Sequence, residues 1–312
     1  MFGKIFSKIK KETFLIACFI ALIGSLGNVL HGTFLKYYST TLNINLYELI
    51  YFNCIIEVFI LFPFCIKYLK HLKKGLPVVI LLSILYSADI LLYNTGLKTT
   101  PVNTGVLIML LVPLWMCVFG KVILKEKGFH LINIIALICC FFAVLLTIYG
   151  DFKFSGFSIG VFLIFLNSII LPLGVILQKK FGDKRPITYA LFTNAIALGI
   201  VSFFMSGFKT NALHNINFDL IKAGIWIAIF DIMECGGVYL SCKLANVALL
   251  QPMRFTRIIF AVFVSQIVLG ETITIYQIIS AIVILFANLT SILFARKIEN
   301  KKYNFISKRL NQ

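Results

Sequence analysis

Long apolar runs recur along this chain, each close to twenty residues and separated by short polar stretches. A helix rises about 1.5 Å per residue, so a run of about 20 residues crosses the bilayer's hydrocarbon core of about 30 Å. We therefore expect an all-α membrane protein. The pattern predicts ten transmembrane helices, near 13–35, 46–66, 76–97, 102–121, 131–150, 157–178, 187–206, 221–242, 246–269 and 274–295.

Composition supports this interpretation. Hydrophobic residues make up 60% of the 312 residues, against about 45–50% in a soluble domain. Charged residues make up 13%, against about 25%. Too few polar side chains remain to cover a soluble globule of this size. A soluble enzyme, a disordered chain and a fibrous protein are excluded, and a multi-pass protein in a lipid bilayer remains.

The distribution of basic residues predicts the orientation. The formal net charge is +17, and most of the 29 Lys and Arg residues lie in short clusters between the apolar runs. With the N-terminus inside, these clusters fall on the cytoplasmic loops and tails, as the positive-inside rule requires. We therefore expect both termini in the cytoplasm, an even number of spans and a place in the cell inner membrane. This distribution argues against a nucleic-acid partner.

The two halves of the sequence are related by an offset of 145 residues. The offset places Leu-Lys-Glu at 124–126 on Leu-Gly-Glu at 269–271, and Asp89 on Glu234. Each half then holds five spans, an odd number, so the second half enters the membrane from the opposite side. Such inverted repeats are typical of secondary transporters, whose substrate site lies near mid-membrane between the repeats. We expect a first five-helix unit over 1–150 and a second over 151–312, which includes a basic C-terminal tail.

Particular motifs resemble a known family. The segment 251–257 (Gln-Pro-Met-Arg-Phe-Thr-Arg), followed by the Gly-Glu at 270–271, resembles the last EamA-type repeat of the drug/metabolite transporter superfamily. Pro113 to Glu126 resembles its counterpart, except that Lys125 replaces the usual glycine. The resemblance implies a ten-helix transporter. The Pro-x-Arg-x-x-Arg pattern is most similar to the branch that includes bacterial S-adenosylmethionine transporters.

Charged residues inside the predicted spans are candidates for substrate binding, because they are costly in a membrane. Asp231 and Glu234 share one helix face, and buried acids outnumber Arg254 and Arg257. The excess of acid predicts a ligand that carries a cationic group together with a carboxylate or a planar ring. An arginine would bind the carboxylate, and a tyrosine would stack on the ring or on a sulfonium. The predicted site consists of Asn28, Tyr86, Asp89, Tyr93, Asp231, Glu234, Tyr239, Arg254 and Arg257.

Three alternative interpretations accompany this prediction. Glu234 and Arg257 would form a structural ion pair between neighbouring helices. His31, near the outer end of its span, would be an interfacial residue. Glu57, alone on the second span, would pair locally or extend toward the interface. Apart from these alternatives, polar residues of the sixth span, among them Asn167, are expected to line the same cavity as the charged residues of the predicted site.

Motifs for ATP hydrolysis and for zinc chemistry are missing from the sequence. It contains no GxxxxGK[ST] or HExxH motif, and no His/Cys cluster with metal-ligand spacing. We expect no enzyme activity, no cofactor and no metal. The predicted function is secondary transport of a cationic or zwitterionic metabolite, with S-adenosylmethionine as the leading candidate. The alternative is import or export of a neutral or anionic metabolite such as a flavin, amino acid or carboxylate. An enzyme or a channel is a weaker alternative, and a homodimer is compatible but not required.

Overall fold

The computed structural model describes residues 2–71, 76–125, 158–182, 186–209, 216–245, 247–254, 256–283, 285–287 and 289–290, with isolated positions between 135 and 149. These residues are helical and contain no β-strand. The helices are α1 Phe2–Thr41, α2 Leu46–Cys65, α3 Leu76–Leu97, α4 Val102–Ile108, α5 Val112–Ile123, α6 Ile159–Phe181, α7 Ile187–Met205, α8 Phe218–Leu244, α9 Val247–Arg254, α10 Arg257–Leu269 and α11 Ile275–Ala287. The all-α prediction is confirmed for this part of the chain.

Six of the described helices are long and apolar enough to cross a membrane. They cover Thr13–Thr41, Leu46–Tyr68, Leu76–Leu97, Ile159–Phe181, Ile187–Met205 and Phe218–Leu244. All six match predicted spans, although the first extends to Thr41 rather than to residue 35. The predicted span at 131–150 and the end of the span at 274–295 lie largely outside the described residues. The count of ten therefore stays a prediction.

The predicted spans at 102–121 and 246–269 are each divided into two shorter helices. A 3-10 turn over Met109–Leu111 separates α4 from α5, and Thr256 lies between the end of α9 and the start of α10. Pro113 lies in the first turn of α5, where its missing N–H removes no helical hydrogen bond. The two breaks lie at equivalent positions under the 145-residue offset.

Side-chain caps fix where several helices begin. Asn45 accepts a hydrogen bond from the backbone N–H of Tyr47 at the start of α2. Ser158 caps α6 and Asn217 caps α8 in the same way. Such a cap satisfies one of the backbone donors that the first helical turn leaves unpaired.

The main helix contacts join the first half of the chain to the second. α1 packs along α8, α3 along α6, and α2 along α7. Glycines permit the closest approach. A Cβ atom on Gly27 would lie 2.6 Å from the backbone nitrogen of Glu234, and one on Gly237 would lie 2.6 Å from the Cα of Gly24. Small residues let membrane helices approach backbone to backbone, and this crossing brings the polar side chains of α1 and α8 together.

Candidate functional site

Two buried acids in the bundle each accept a hydrogen bond from an asparagine on a neighbouring helix. On α3, Asp89 Oδ1 accepts from Asn167 Nδ2 of α6 at 2.6 Å. On α8, Glu234 Oε1 accepts from Asn28 Nδ2 of α1. All four side chains are buried. The amides satisfy carboxylate oxygens without supplying a positive charge, so a cation can still interact with either acid.

His31 contributes to this site, so the expectation of an interfacial histidine is wrong. It is 2% exposed, and its Nδ1 lies 3.4 Å from Glu234 Oε2. The reason is the length of α1, which continues to Thr41 and leaves His31 about three turns inside the helix.

Asp231 lies at the centre of a second set of contacts. Tyr86 donates its hydroxyl to Asp231 Oδ2 at 2.7 Å, and the Cys235 thiol donates to Oδ1 at 3.4 Å. Glu57 of α2 is 1% exposed, so its side chain is enclosed by the protein. Its Oε2 atom has no hydrogen-bond partner among the described residues, and local pairing of Glu57 stays a prediction.

Three of these groups form a cluster that could hold a cation. One ligand atom each from His31, Asp231 and Glu234 lies within 4.8 Å of the other two, and all three residues are buried. The amide oxygen of Asn28 has no hydrogen-bond partner among the described residues. The spacing of Asp231 and Glu234 predicts that these two share a helix face, but it does not predict His31, which lies about 200 positions earlier in the chain.

Arg254 and Arg257 flank the break between α9 and α10, and each is 2% exposed. Arg254 donates one hydrogen bond, to the Cys242 sulfur at 3.3 Å. Two further nitrogens of Arg254 and two of Arg257 have no acceptor among the described residues. No ion pair within 4.0 Å joins Arg257 to Glu234, so the expected structural pair is not formed. Buried guanidinium groups with free donors suit an anionic ligand group.

The three predicted tyrosines lie in different environments. Tyr86 is bound to Asp231, as above. Tyr93 is buried, and its hydroxyl has no hydrogen-bond partner among the described residues. Tyr239 accepts a long hydrogen bond of 3.4 Å from Asn194 Nδ2 of α7. Asn194 was not among the predicted site residues.

Two narrow cavities lie near the site, one at the basic ends of α6 and α8 and one beside the buried acid of α3. The first, of about 20 Å³, is lined by Gln178, Lys179 and Lys243. The second, of about 10 Å³, lies beside Tyr86 and Asp89. Both are lined by Val175 and Tyr239. Each volume suits about one water molecule, so a larger ligand would enter only if these helices moved apart.

Polar contacts close the opposite end of the bundle. Lys36 Nζ at the end of α1 lies 3.1 Å from Glu271 Oε1 just after α10, and it also donates to the Thr100 carbonyl at 3.2 Å. The backbone N–H of Val102 donates to the same Glu271 oxygen at 3.0 Å. We call this set of four residues the Lys36–Glu271 latch. It joins residues from both halves of the chain.

Comparisons with known proteins give two sequence relationships. Residues 15–149 match the EamA-like transporter family. A protein of Bacillus subtilis (strain 168), named "Uncharacterized transporter YyaM", is 28% identical over 214 residues, which are 64% of this chain and 67% of that protein. Residues 15–149 are thus similar to a transporter family, and 64% of the chain is similar to a protein that is named as a transporter.

A solved structure shares the fold. It is titled "Crystal structure of protein", and it superposes with a TM-score of 0.70 over 90% of this chain and 98% of its own. The two sequences are 15% identical. The helical arrangement described above is therefore one that a crystallised protein adopts.

Proposed function

We propose that this protein is a secondary transporter that moves a small organic metabolite across the cell inner membrane by alternating access. One observation carries the proposal: a contact between a helix of the first half and one of the second has a counterpart between the equivalent helices, with the two halves interchanged. Under the 145-residue offset, α1 corresponds to α6, α2 to α7, α3 to α8, α4 to α9 and α5 to α10. The contact of α1 with α8 then corresponds to that of α6 with α3, and both are present.

Further helix contacts also have counterparts under the 145-residue offset. The contact of α1 with α10 corresponds to that of α6 with α5, and the contact of α2 with α8 to that of α7 with α3. The pairs α4–α10 and α9–α5 also correspond. This exchange supports two inverted units over 1–150 and 151–312, with both termini cytoplasmic. Inverted units allow one half to rock against the other around a central site.

The proposed substrate carries both a cationic group and a carboxylate. Asp89, Asp231 and Glu234 supply acid that no arginine or lysine neutralises by an ion pair within 4.0 Å in the described part of the chain. Arg254 and Arg257 supply donors for a carboxylate, which a guanidinium holds with two parallel hydrogen bonds. S-adenosylmethionine combines an amino-acid group, a sulfonium and an aromatic ring, and it is our leading candidate. A ring or sulfonium would stack on Tyr93 or Tyr239.

An anionic metabolite is the second candidate. The free donors of Arg254 and Arg257 favour it, because two buried guanidinium groups suit a ligand with more than one negative charge. The two candidate ligand classes differ in how they would interact with the acids Asp89, Asp231 and Glu234. A cationic or zwitterionic ligand requires them to be ionised, whereas an anion is repelled by them.

Uptake into proteoliposomes tests the proposal. Purified protein should take up radiolabelled S-adenosylmethionine saturably and without ATP. Arg257→Gln should lower uptake about tenfold or more, since a lost ion contact of about 1.4 kcal/mol corresponds to that factor. Lys222→Gln, at an exposed position of α8, is the matched control and should leave uptake unchanged.

The competing outcomes are distinct. Uptake that a flavin or a dicarboxylate inhibits, and that S-adenosylmethionine does not, would favour the anionic class. An absence of uptake for every tested metabolite, in protein that remains folded, would contradict the assignment as a transporter.

A further inference from the structure

A histidine of the first half of the chain and two acids of the second half meet where α1 crosses α8. One ligand atom each from His31, Asp231 and Glu234 lies within 4.8 Å of the other two. All three side chains are buried. In a zinc site, imidazole nitrogens and carboxylate oxygens lie about 2.1 Å from the metal, and hence about 3–4 Å from one another. Small side-chain rotations would therefore bring the three atoms around one ion.

The charge of this cluster favours a cation. Asp231 and Glu234 together supply two negative charges, and no lysine or arginine in the described part of the chain forms an ion pair within 4.0 Å with either. Both acids lie on a helix long and apolar enough to cross the membrane, where an unpaired charge is costly. Buried charges in proteins are paired or coordinate metals. A divalent cation would match the charge of the two carboxylates.

Two buried oxygen atoms at the cluster have no hydrogen-bond partner among the described residues. One is Glu234 Oε2, which lies 3.4 Å from His31 Nδ1. The other is the amide oxygen of Asn28, whose amide nitrogen donates to Glu234 Oε1. Asn28 and His31 are three residues apart on α1, so they share one helix face. The amide oxygen therefore lies beside the cluster with its lone pairs free, as a further oxygen ligand requires.

Neighbouring side chains orient both acids. Tyr86 donates its hydroxyl to Asp231 Oδ2 at 2.7 Å, and Asn28 donates its amide to Glu234 Oε1. Carboxylates that bind a metal are themselves hydrogen-bonded in this way, which fixes their direction toward the ion. The ligands come from both halves of the chain, so a search for metal-ligand spacing along the sequence does not find them.

We propose that His31, Asp231 and Glu234 bind a divalent transition-metal ion that joins α1 to α8. An imidazole nitrogen disfavours Mg²⁺ and Ca²⁺, which prefer oxygen ligands, whereas Zn²⁺ and Mn²⁺ accept a mixed set of imidazole and carboxylate. Because α1 and α8 belong to opposite halves of the chain, the bound ion holds the halves together at this crossing. Ion binding does not depend on the identity of the metabolite, and Asp89, outside the cluster, remains available for a cationic substrate group.

The first experiment uses Mn²⁺ as the probe, because electron paramagnetic resonance distinguishes the bound from the free ion. Purified full-length protein, with any histidine tag removed, is titrated without a metabolite. We expect one bound ion per chain, with coupling to an imidazole nitrogen in pulsed spectra. His31→Gln should abolish this coupling. Glu234→Gln, which keeps an oxygen for Asn28, should weaken binding about tenfold or more. Asp219→Asn, at an exposed position of α8, is the control and should bind as the parent does.

The second experiment measures thermal unfolding in detergent with and without Zn²⁺. An ion that binds the folded protein raises its unfolding temperature. Zn²⁺ should therefore stabilise the parent and Asp219→Asn, but not Glu234→Gln or Asp231→Asn. Equal stabilisation of all four proteins, or bound Mn²⁺ without nitrogen coupling, would place the ion elsewhere and overturn the site. A folded parent that binds neither ion would overturn it too, whereas the proposed function is tested separately by metabolite uptake.

Discussion

At the residue scale, the ends of α5 and α10 make the same backbone turn with different residues. Gly270 has a φ of 67° and Lys125, at the equivalent position, has a φ of 55°. A side chain in this left-handed region costs about 1–2 kcal/mol, which glycine avoids. The replacement of glycine by Lys125 therefore changes the cost of the turn but not its geometry.

Substitutions at these two positions should shift stability in opposite directions. Lys125→Gly should raise the thermal unfolding temperature in detergent, and Gly270→Ala should lower it, each by the equivalent of about 1 kcal/mol. Gly174→Ala is the control, because a Cβ there meets only Leu85 at 3.7 Å. It should not lower the unfolding temperature. A neutral Gly270→Ala would show that the turn does not limit stability.

Substitution of each site acid by its amide removes the charge and keeps the shape of the side chain. Asp89→Asn retains an oxygen that accepts from Asn167, and Glu234→Gln retains one that accepts from Asn28. Each should raise the apparent dissociation constant for S-adenosylmethionine about tenfold or more, through loss of an ion contact worth about 1.4 kcal/mol. Isothermal titration with the exposed Asp219→Asn as control measures this effect. If both variants bind as the parent does, the acids are structural and the cationic ligand is wrong.

At the scale of the elements, hydropathy was sufficient to predict six long helices but not the two breaks. The residues around Met109–Leu111 are as apolar as those of the helices beside them. A change from α-helical to 3-10 hydrogen bonding leaves the hydropathy unchanged. In the sequence, the break between α4 and α5 is therefore indicated by Pro113 and not by hydropathy. The partners of Glu234 were equally hidden. Sequence spacing gives the depth of a side chain, whereas its contacts depend on how each helix is rotated in the bundle.

The Lys36–Glu271 latch should control access from its end of the bundle. Lys36→Gln or Glu271→Gln removes a partly buried ion pair worth about 1 kcal/mol. A cysteine placed at Val106, which is buried on α4, should then react about fivefold faster with a membrane-impermeant thiol reagent. Lys209→Gln, at an exposed position, is the control. Unchanged rates in both single variants would contradict the role of the latch.

The other end of the bundle carries a similar contact. Lys179 Nζ donates to the Ala245 carbonyl at 3.2 Å, and Ala245 is equivalent to Thr100 under the 145-residue offset. The residue equivalent to Glu271 is Glu126, which lies outside the described residues. We expect Glu126→Gln to increase access from the face opposite to the one that the Lys36–Glu271 latch closes. The same labelling assay, with the reagent applied to that face, measures it.

At the scale of the whole molecule, the charge distribution predicts which loops face the cytoplasm. Single cysteines in 67–74 and 179–185 should be labelled only from the cytoplasmic side, and those in 207–220 only from the outside. The reason is the positive-inside rule, since the first two segments are rich in lysine. Labelling of either basic loop from the outside would contradict the orientation and the inverted pairing of the halves.

Rocking of the halves predicts that one crosslink can stop the whole cycle. Lys36 lies in the first unit and Glu271 in the second, and their charged groups are 3.1 Å apart. In a background without other cysteines, Lys36→Cys and Glu271→Cys joined by a reducible bifunctional thiol reagent should hold this end closed. Uptake should fall to background because the site can no longer open there, and reduction should restore it. The first cavity beside Tyr239 should stay reachable from the opposite face, which a cysteine at Lys243 reports. Continued uptake by fully crosslinked protein would mean that the two halves do not need to separate at this end, and alternating access around a central site would be the wrong mechanism.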